Sequence, residues 1–179
     1  MPEYNYEIKV PKERVAVLIG KNGEVKKDIE EETQVKIRVD SDEGDVFLRG
    51  SDAVKLFLTT EVVKAIGRGF NPDVARLLLK QDYSFELVSL GDMKSKKLMT
   101  RLKGRVIGAE GKSRVKIEEY TECHVSVYGK TIGIIGLAEH VDMARHAIES
   151  LLKGNTHASV YRWLEGKRRS MKLAEIGDI

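Results

Sequence analysis

An internal repeat constrains the fold of this chain more than any other feature of its sequence. Its two copies read VLIGKNGEVKKDIEEETQVKIRV and VIGAEGKSRVKIEEYTECHVSV. Placing Gly20 on Gly108 gives an offset of 88 residues, which also aligns a second glycine, two isoleucines and a threonine. Beyond the next turn the offset falls to 86, with Gly50 placed on Gly136. A hairpin loop that is two residues shorter explains the change, because it keeps every side chain on its own face of the strand.

Hydrophobic periodicity predicts the same order of elements in both copies, namely strand, helix, helix, strand, strand, helix. The elements predicted for the first copy are the strand YEIKV, helices over Lys12–Ile19 and about Glu24–Thr33, the strands VKIRVD and DVFLRG, and a helix from Ser51 or Asp52 to about Ile66. Those predicted for the second copy are the strand FELVSL, helices over Lys97–Val106 and Lys112–Glu119, the hairpin HVSVYGKTIGIIG, and a helix over Ala138–Leu152.

The segment between the copies predicts a short connecting helix. Asn71 followed by Pro72 is a typical helix start, and the run VARLLLK follows it. Since no Gly/Ser-rich linker intervenes, we expect the two units to be fixed against each other. We therefore predict an α+β protein with a first domain over residues 1–80, which includes the connecting helix, and a second over 81–179, which ends in a basic helix.

Two of the three G-x-x-G spacings in the chain are candidate functional loops. With 16 glycines in 179 residues, one such spacing is expected by chance. The spacing that starts at Gly133 lies in an apolar alternating run, and we predict a plain strand there. The spacings that start at Gly20 and Gly108 each follow an apolar pair, open an amphipathic helix and occupy matching points of the repeat. Position within the repeat therefore separates these two loops from the third.

Glycines at this spacing predict a loop that a sugar-phosphate backbone can approach closely. A glycine has no side chain to hold the backbone away, and the free N–H groups at the start of the next helix favour a phosphate. Bases would lie in an apolar groove between these helices and the second strand, whose edge can read Watson–Crick groups. Such a groove suits single strands, because their base edges are free.

The predicted RNA-binding residues come from the loops, the helices that follow them and the second strands. In the first copy they are Ile19, Gly20, Lys21, Asn22, Gly23, Lys26, Lys36, Ile37 and Arg38. In the second copy they are Arg105, Ile107, Gly108, Ala109, Glu110, Gly111, Lys112, Ser113, Arg114, Val125 and Ser126. We predict no catalytic residue, no metal site and no cofactor.

The I-G-x-x-G-x-x-hydrophobic pattern in this order of elements resembles the type I KH domain. The fold class implied is two tandem type I KH domains, each with a three-stranded antiparallel sheet packed on three helices. The run GRVIGAEGKSRVKIEEYTECHVSVYGKTIGIIG resembles more narrowly the archaeal partner-of-Nob (Dim-two-like) family of small-subunit ribosome assembly factors. Eukaryotic relatives tend to lose the first G-x-x-G, whereas this chain keeps it, so we expect both units to contact RNA.

The resemblance implies a non-catalytic protein that binds single-stranded RNA near the 3′ end of small-subunit ribosomal RNA. It also implies two protein partners, the endonuclease that trims this end and the alpha subunit of initiation factor two. Glu110 departs from the family pattern, because it puts an acidic side chain where the loop meets phosphate. We expect Lys112 and Arg114 to offset that charge.

Basic and acidic residues are segregated along the chain, although the net charge is only +3. Between Lys94 and Lys116 there are nine basic residues and one acidic residue, Glu110. A second basic cluster over residues 162–172 lies near the C-terminus. Any single cluster is typical of a solvated helix face, but the segregation favours a polyanionic partner.

Enzymatic alternatives lack the residues they need. Gly111-Lys112-Ser113 ends like a P-loop, but a P-loop needs a glycine where this chain has Val106. The four histidines include no i, i+4 pair, and the single cysteine, Cys123, excludes an internal disulfide. Tyr128, Tyr161 and Trp163 are candidates for base stacking, although packing between elements is the more common role.

Two non-enzymatic interpretations stay open beside ribosome assembly. One is a general KH-domain adaptor in RNA processing, and the other is a protein-docking module. The chain has no apolar run of about 18 residues, the length that a membrane helix needs, and no apolar signal core near its N-terminus. We therefore expect a cytoplasmic protein.

Overall fold

The computed structural model describes residues 2–91 and 95–177. The chain folds into two compact units, Met1–Tyr83 and Ser84–Ile179. Each unit contains one three-stranded antiparallel sheet and its own helices. The α+β architecture predicted from the repeat is therefore confirmed.

The first unit begins with the predicted strand-helix-helix-strand-strand-helix order. Its elements are β1 Tyr4–Lys9, α1 Lys12–Ile19, α2 Glu24–Thr33, β2 Lys36–Asp40, β3 Asp45–Gly50, α3 Ala53–Gly67 and α4 Pro72–Ala75. The strand order is β1-β3-β2, so β2 lies at an edge of the sheet. In the register of this sheet Ile37 lies opposite Leu48.

Side-chain caps place the helix starts of this unit. The Asp52 carboxylate accepts hydrogen bonds from the N–H groups of Val54 and Lys55, which selects Asp52 rather than Ser51 as the cap of α3. The Asn71 side chain likewise accepts from the N–H of Asp73 and starts α4. The connecting helix is shorter than predicted, because α4 gives way to a 3₁₀ turn over Arg76–Leu79.

The second unit repeats this order and adds one helix. Its elements are β4 Tyr83–Ser89, α5 Lys96–Ile107, α6 Lys112–Thr121, β5 His124–Tyr128, β6 Thr131–Leu137, α7 Ala138–Leu152 and α8 His157–Gly177. The strand order is β4-β6-β5, which makes β5 the counterpart of β2. Helix α8 contains the C-terminal basic cluster, and its buried residues Val160 and Leu164 belong to the core of this unit.

Alternate side chains of each sheet form its core. In the first unit Ile37, Val46 and Leu48 are buried, and in the second Ile132 and Ile134 are fully buried. The spacing that starts at Gly133 lies within β6, as predicted.

Close packing accounts for the glycine that ends that spacing. A Cβ on Gly136 would lie 2.6 Å from the Sγ of Cys123. Burial of this thiol raises the pKa of Cys123 to about 11. No helix within residues 2–91 and 95–177 is long and apolar enough to span a bilayer.

Candidate nucleic-acid interface

The two G-x-x-G loops have the same backbone conformation. Each is a 3₁₀ turn between two helices, and in each the N–H of the second glycine donates to the carbonyl of the first over 3.2 Å. The φ angles are 76°, 55° and 74° at Gly20, Asn22 and Gly23, and 75°, 56° and 74° at Gly108, Glu110 and Gly111. Agreement within 1° shows that the repeat extends to the loop geometry.

The first glycine of each loop packs tightly against the helix that follows. A Cβ on Gly20 would lie 2.5 Å from Val25 Cγ2 and 2.8 Å from the backbone nitrogen of that valine. A Cβ on Gly108 would lie 2.6 Å from Ser113 Cβ and 2.8 Å from its backbone nitrogen. The ψ angles of 174° and 176° also place both glycines in a region that other residues rarely adopt. This glycine therefore serves internal packing.

The second glycine of each loop faces open space. A Cβ on Gly23 would meet only the Lys27 Cε, at 4.0 Å, and a Cβ on Gly111 would meet no atom of the described residues within 4 Å beyond its chain neighbours. Each precedes the first N–H groups of a ten-residue helix, which have no partner within that helix. Sequence reasoning assigned close approach of a ligand to both glycines; the space that a Cβ would fill is occupied at the first glycine and open at the second.

The tips of the two loops carry different charges. Lys21 and Asn22 are exposed in the first loop, as are Ala109 and Glu110 in the second. Lys112 Nζ lies 3.9 Å from a Glu110 carboxylate oxygen, and both side chains are more than 70% exposed. Arg114, the other residue expected to offset Glu110, instead pairs with Glu118 at 3.0 Å.

A glutamate on α2 joins this helix to the edge strand of its sheet. One carboxylate oxygen of Glu30 accepts the N–H of Ile37 over 2.8 Å. The same carboxylate pairs with Lys26, one helical turn earlier, at 3.4 Å. Lys26, which sequence reasoning predicted to bind RNA, is therefore partly neutralised by this pair.

The second unit repeats this arrangement at the positions 88 residues later. Glu118 on α6 accepts the N–H of Val125 over 3.1 Å and pairs with Arg114. Sequence reasoning missed both glutamates. The signal was present, because Glu30 and Glu118 match in the repeat, as do the basic residues four positions before them.

The predicted residues of the second strands do not share one face of the sheet. Ile37 and Val125 are buried in the core. Lys36 and Arg38 are exposed on the opposite face, since side chains alternate along a strand. The Arg38 guanidinium lies 4.4 Å from the Phe47 ring centroid. The structure thus separates Lys36 and Arg38 from the face on which the helices pack.

Arg105 caps a helix. Its guanidinium donates to the carbonyls of Leu151, over 2.9 Å, and Asn155, at the C-terminal end of α7. Arg14 does the same in the first unit, donating over 2.8 Å to the carbonyls of Ile66 and Phe70 at the end of α3. These arginines are not matched at the 88-residue offset, so alignment of the repeat did not reveal the shared role.

Two of the three candidate stacking aromatics pack within the second unit. Trp163 is half-buried and stacks on His146, with ring centroids 4.3 Å apart. Tyr161 is half-buried, and Lys116 Nζ lies 4.6 Å from its ring centroid. Both rings pack against the core of this unit.

Comparison with known families agrees with this division of the chain. The model of the second KH domain of PNO1, described as a eukaryotic-type KH domain (type I), matches residues 84–169. The general KH-domain model matches residues 5–65. The KH domain-containing protein MJ0443 of Methanocaldococcus jannaschii is 47% identical over 93% of this chain and 75% of its own length. The chain belongs to the PNO1/Dim2 family of two-KH proteins.

Solved and curated members of this family extend the comparison. A chain in the crystal structure of the a/eIF2alpha-aDim2p-rRNA complex from Pyrococcus horikoshii superimposes with a TM-score of 0.88 and is 41% identical. That match covers 94% of this chain and 96% of the other. The pre-rRNA-processing protein PNO1 of Chaetomium thermophilum is 29% identical over 72% of this chain, but the match spans only 52% of that protein. The family resemblance and the two KH domains predicted from sequence are confirmed.

Proposed function

We propose that this chain is a non-catalytic single-stranded RNA-binding protein of small-subunit assembly that binds near the 3′ end of small-subunit ribosomal RNA. The observation that carries the proposal is the pair of loops with one backbone conformation, each opening at its second glycine onto the start of a helix. The family supports it, because a similar chain was solved in a complex with rRNA and PNO1 relatives are named as pre-rRNA-processing proteins.

The loops account for the affinity for the backbone of the RNA. A phosphate fits beside Gly23 or Gly111, where no side chain occupies the space that a Cβ would fill. The N–H groups of Glu24 and Lys112 already donate to the carbonyls of Lys21 and Ala109, so the phosphate would be held by the following N–H groups of the first turn and by the helix dipole. Exposed Lys21 and Lys112 add positive charge at the same points. Loop contacts of this kind position the strand, whereas contacts to base edges select the sequence.

The proposal extends to protein partners and location. The Pyrococcus structure contains a/eIF2alpha with aDim2p and rRNA, which supports the alpha subunit of initiation factor two as a partner. The 3′-end-trimming endonuclease and the cytoplasmic location stay predictions from the sequence.

A titration with RNA fragments tests the proposal. Because each KH unit clamps about four nucleotides, a terminal fragment of about ten nucleotides should bind far more tightly than either half. Two unconnected halves should not replace it. A scrambled fragment of equal length, titrated at the same salt concentration, is the control. Equal affinity for the terminal and the scrambled fragment would mean that the protein binds single strands without regard to sequence. Equal affinity for the full fragment and for one of its halves would mean that only one KH unit binds RNA.

Salt dependence separates RNA binding from the protein-docking alternative. Association with phosphates releases counterions, so log affinity falls with log salt by about 0.7 for each phosphate contact on a single strand. Neutralising Lys112 should lower this slope by about that amount. Neutralising Arg114 should change it less, because Arg114 already pairs with Glu118. An interface made of apolar contacts would show no such slope.

A further inference from the structure

The edge amide that faces the proposed base groove is already occupied in each unit. The N–H of Ile37 points away from β3, because the Glu30 carboxylate accepts it. The N–H of Val125 is held in the same way by Glu118. A donor that an edge strand normally offers to a ligand is therefore engaged within the protein at matching points of both units.

The same geometry fixes the direction of the neighbouring carbonyl group. Opposite residues in an antiparallel pair either exchange both backbone hydrogen bonds or direct both groups away from each other. Ile37, opposite Leu48, is of the second kind, since its N–H goes to Glu30. Its carbonyl therefore also points to the open edge of β2. Val125, opposite Ile134, follows the same pattern at the edge of β5.

The glutamates thereby remove the Ile37 and Val125 N–H donors from this edge and leave the carbonyls of these two residues as acceptors. A carboxylate has about four lone-pair sites, and the N–H and the cation one turn earlier use only part of that capacity. The side chains of Glu30 and Glu118 remain 22% and 23% exposed. Lys26 and Arg114 offset the negative charge, which would otherwise repel an RNA backbone nearby.

From this pattern we infer that Glu30 and Glu118 are specificity-determining residues that select guanine. The strand carbonyl and the carboxylate that accepts the N–H of the same residue both offer acceptors at this edge. Guanine is the base whose Watson–Crick edge presents two adjacent donors, N1–H and N2–H2, whereas uracil, cytosine and adenine each present a single donor group there. The inference rests on the proposed function, because it requires single-stranded RNA in this groove.

The test measures guanine preference with the full chain and two RNA pools. Both are 12-nucleotide single strands of randomised sequence, one made with guanosine and the other with inosine, which lacks only the N2 amino group. Lithium buffer suppresses guanine quadruplexes. The guanosine pool should bind about tenfold more tightly, within the range that a bidentate base contact gives. Equal binding of both pools by the unaltered protein would overturn the inference without the need for any variant.

Substitution of the glutamates assigns the preference to their side chains. Glu30→Gln with Glu118→Gln keeps an acceptor for the strand N–H but presents an amide donor to the base, so the tenfold ratio should fall to about one. Glu31→Gln with Glu119→Gln is the matched control, since these exposed neighbours change the charge equally and should leave the ratio unaltered. A ratio that survives in the first variant overturns the inference. If the unaltered protein bound neither pool, the proposed RNA binding itself would be refuted.

Discussion

The two loops of this protein share one backbone and differ in chemistry. Their φ angles agree within 1°, yet the first carries Lys21 and Asn22 where the second carries Ala109 and Glu110. Packing beneath the first glycine also differs, because Val25 in one unit is replaced by the buried Ser113 in the other. The comparison teaches that glycine conformation and helix packing specify the loop, whereas its charge can vary.

Next to the loop of the second unit, most of the positive charge lies on the helix that precedes it. Helix α5 starts four residues earlier than α1 when the two are aligned at their loops, and this extra turn begins with Lys96 and Lys97. Both are exposed, and so is Arg101, whereas Lys103 is half-buried. Lys94, the first residue of the predicted basic segment, lies outside the described residues. The first unit therefore has its cation at the loop tip, and the second has a basic helix face.

The largest expected effect tests whether the loops are equivalent in packing. Gly20→Ala and Gly108→Ala should each destabilise their own unit by about 3 kcal/mol, because the new Cβ meets backbone at 2.8 Å in a conformation that costs about 1–3 kcal/mol by itself. Gly23→Ala and Gly111→Ala should cost about 1–2 kcal/mol, since only the left-handed backbone is strained. Amide exchange in α2 and α6 reports each unit separately. If the first-glycine substitution destabilised only one of the two units, the loops would not be equivalent in packing.

The next effect concerns the arginine caps. Arg14→Ala and Arg105→Ala should each destabilise the end of the capped helix by about 1–3 kcal/mol, the range for hydrogen bonds to charged groups. Arg→Lys at either site should recover little, because lysine cannot donate to two carbonyls in the same fork. Exchange of amides in the last turns of α3 and α7 measures the effect. If Arg105→Ala weakened RNA binding but left α7 protected, the residue would serve RNA as the sequence predicted.

Charge at the loop tips should affect RNA affinity and not stability. Lys21→Asp with Asn22→Asp should weaken RNA binding about tenfold, because a cation is lost and phosphate is repelled. Ala109→Asp should weaken RNA binding only a few-fold, since Glu110 already gives the second loop a negative charge. Exposed sites of this kind change stability by about 0.5 kcal/mol or less. Lys80→Asp with Gln81→Asp, an equal charge change to that of the first-loop variant at two exposed sites outside the loops, is the control. Unchanged RNA affinity in both loop variants would refute the proposed contact between the loops and phosphate.

The fold was predictable because periodicity and the repeat are local signals. Helices α1, α2 and α7 and the strand β3 have the predicted bounds. The site was less predictable, since its contacts join distant elements. Arg105 reaches carbonyls 46 and 50 positions along the chain, and Glu30 on α2 accepts the N–H of Ile37 on β2. The sequence shows that a charged residue lies at or near a loop. Only the fold shows whether that side chain already pairs with another group of the protein.

The smallest effect isolates the middle residue of the second loop. Glu110 has φ 56°, a left-handed conformation that asparagine tolerates better than glutamate. Glu110→Asn should therefore stabilise the second unit by a few tenths to about 1 kcal/mol, and it should also tighten RNA binding, because an acidic side chain leaves the phosphate site. The lost pair with Lys112 costs little, since both side chains are highly exposed. Glu110→Gln is the control, because it removes the charge but keeps the backbone strain. If both variants tighten RNA binding equally and only the asparagine stabilises α6, charge and conformation act separately at this position. If neither variant changes affinity, Glu110 does not lie near the bound phosphate, and the two loops differ in sequence without differing in function.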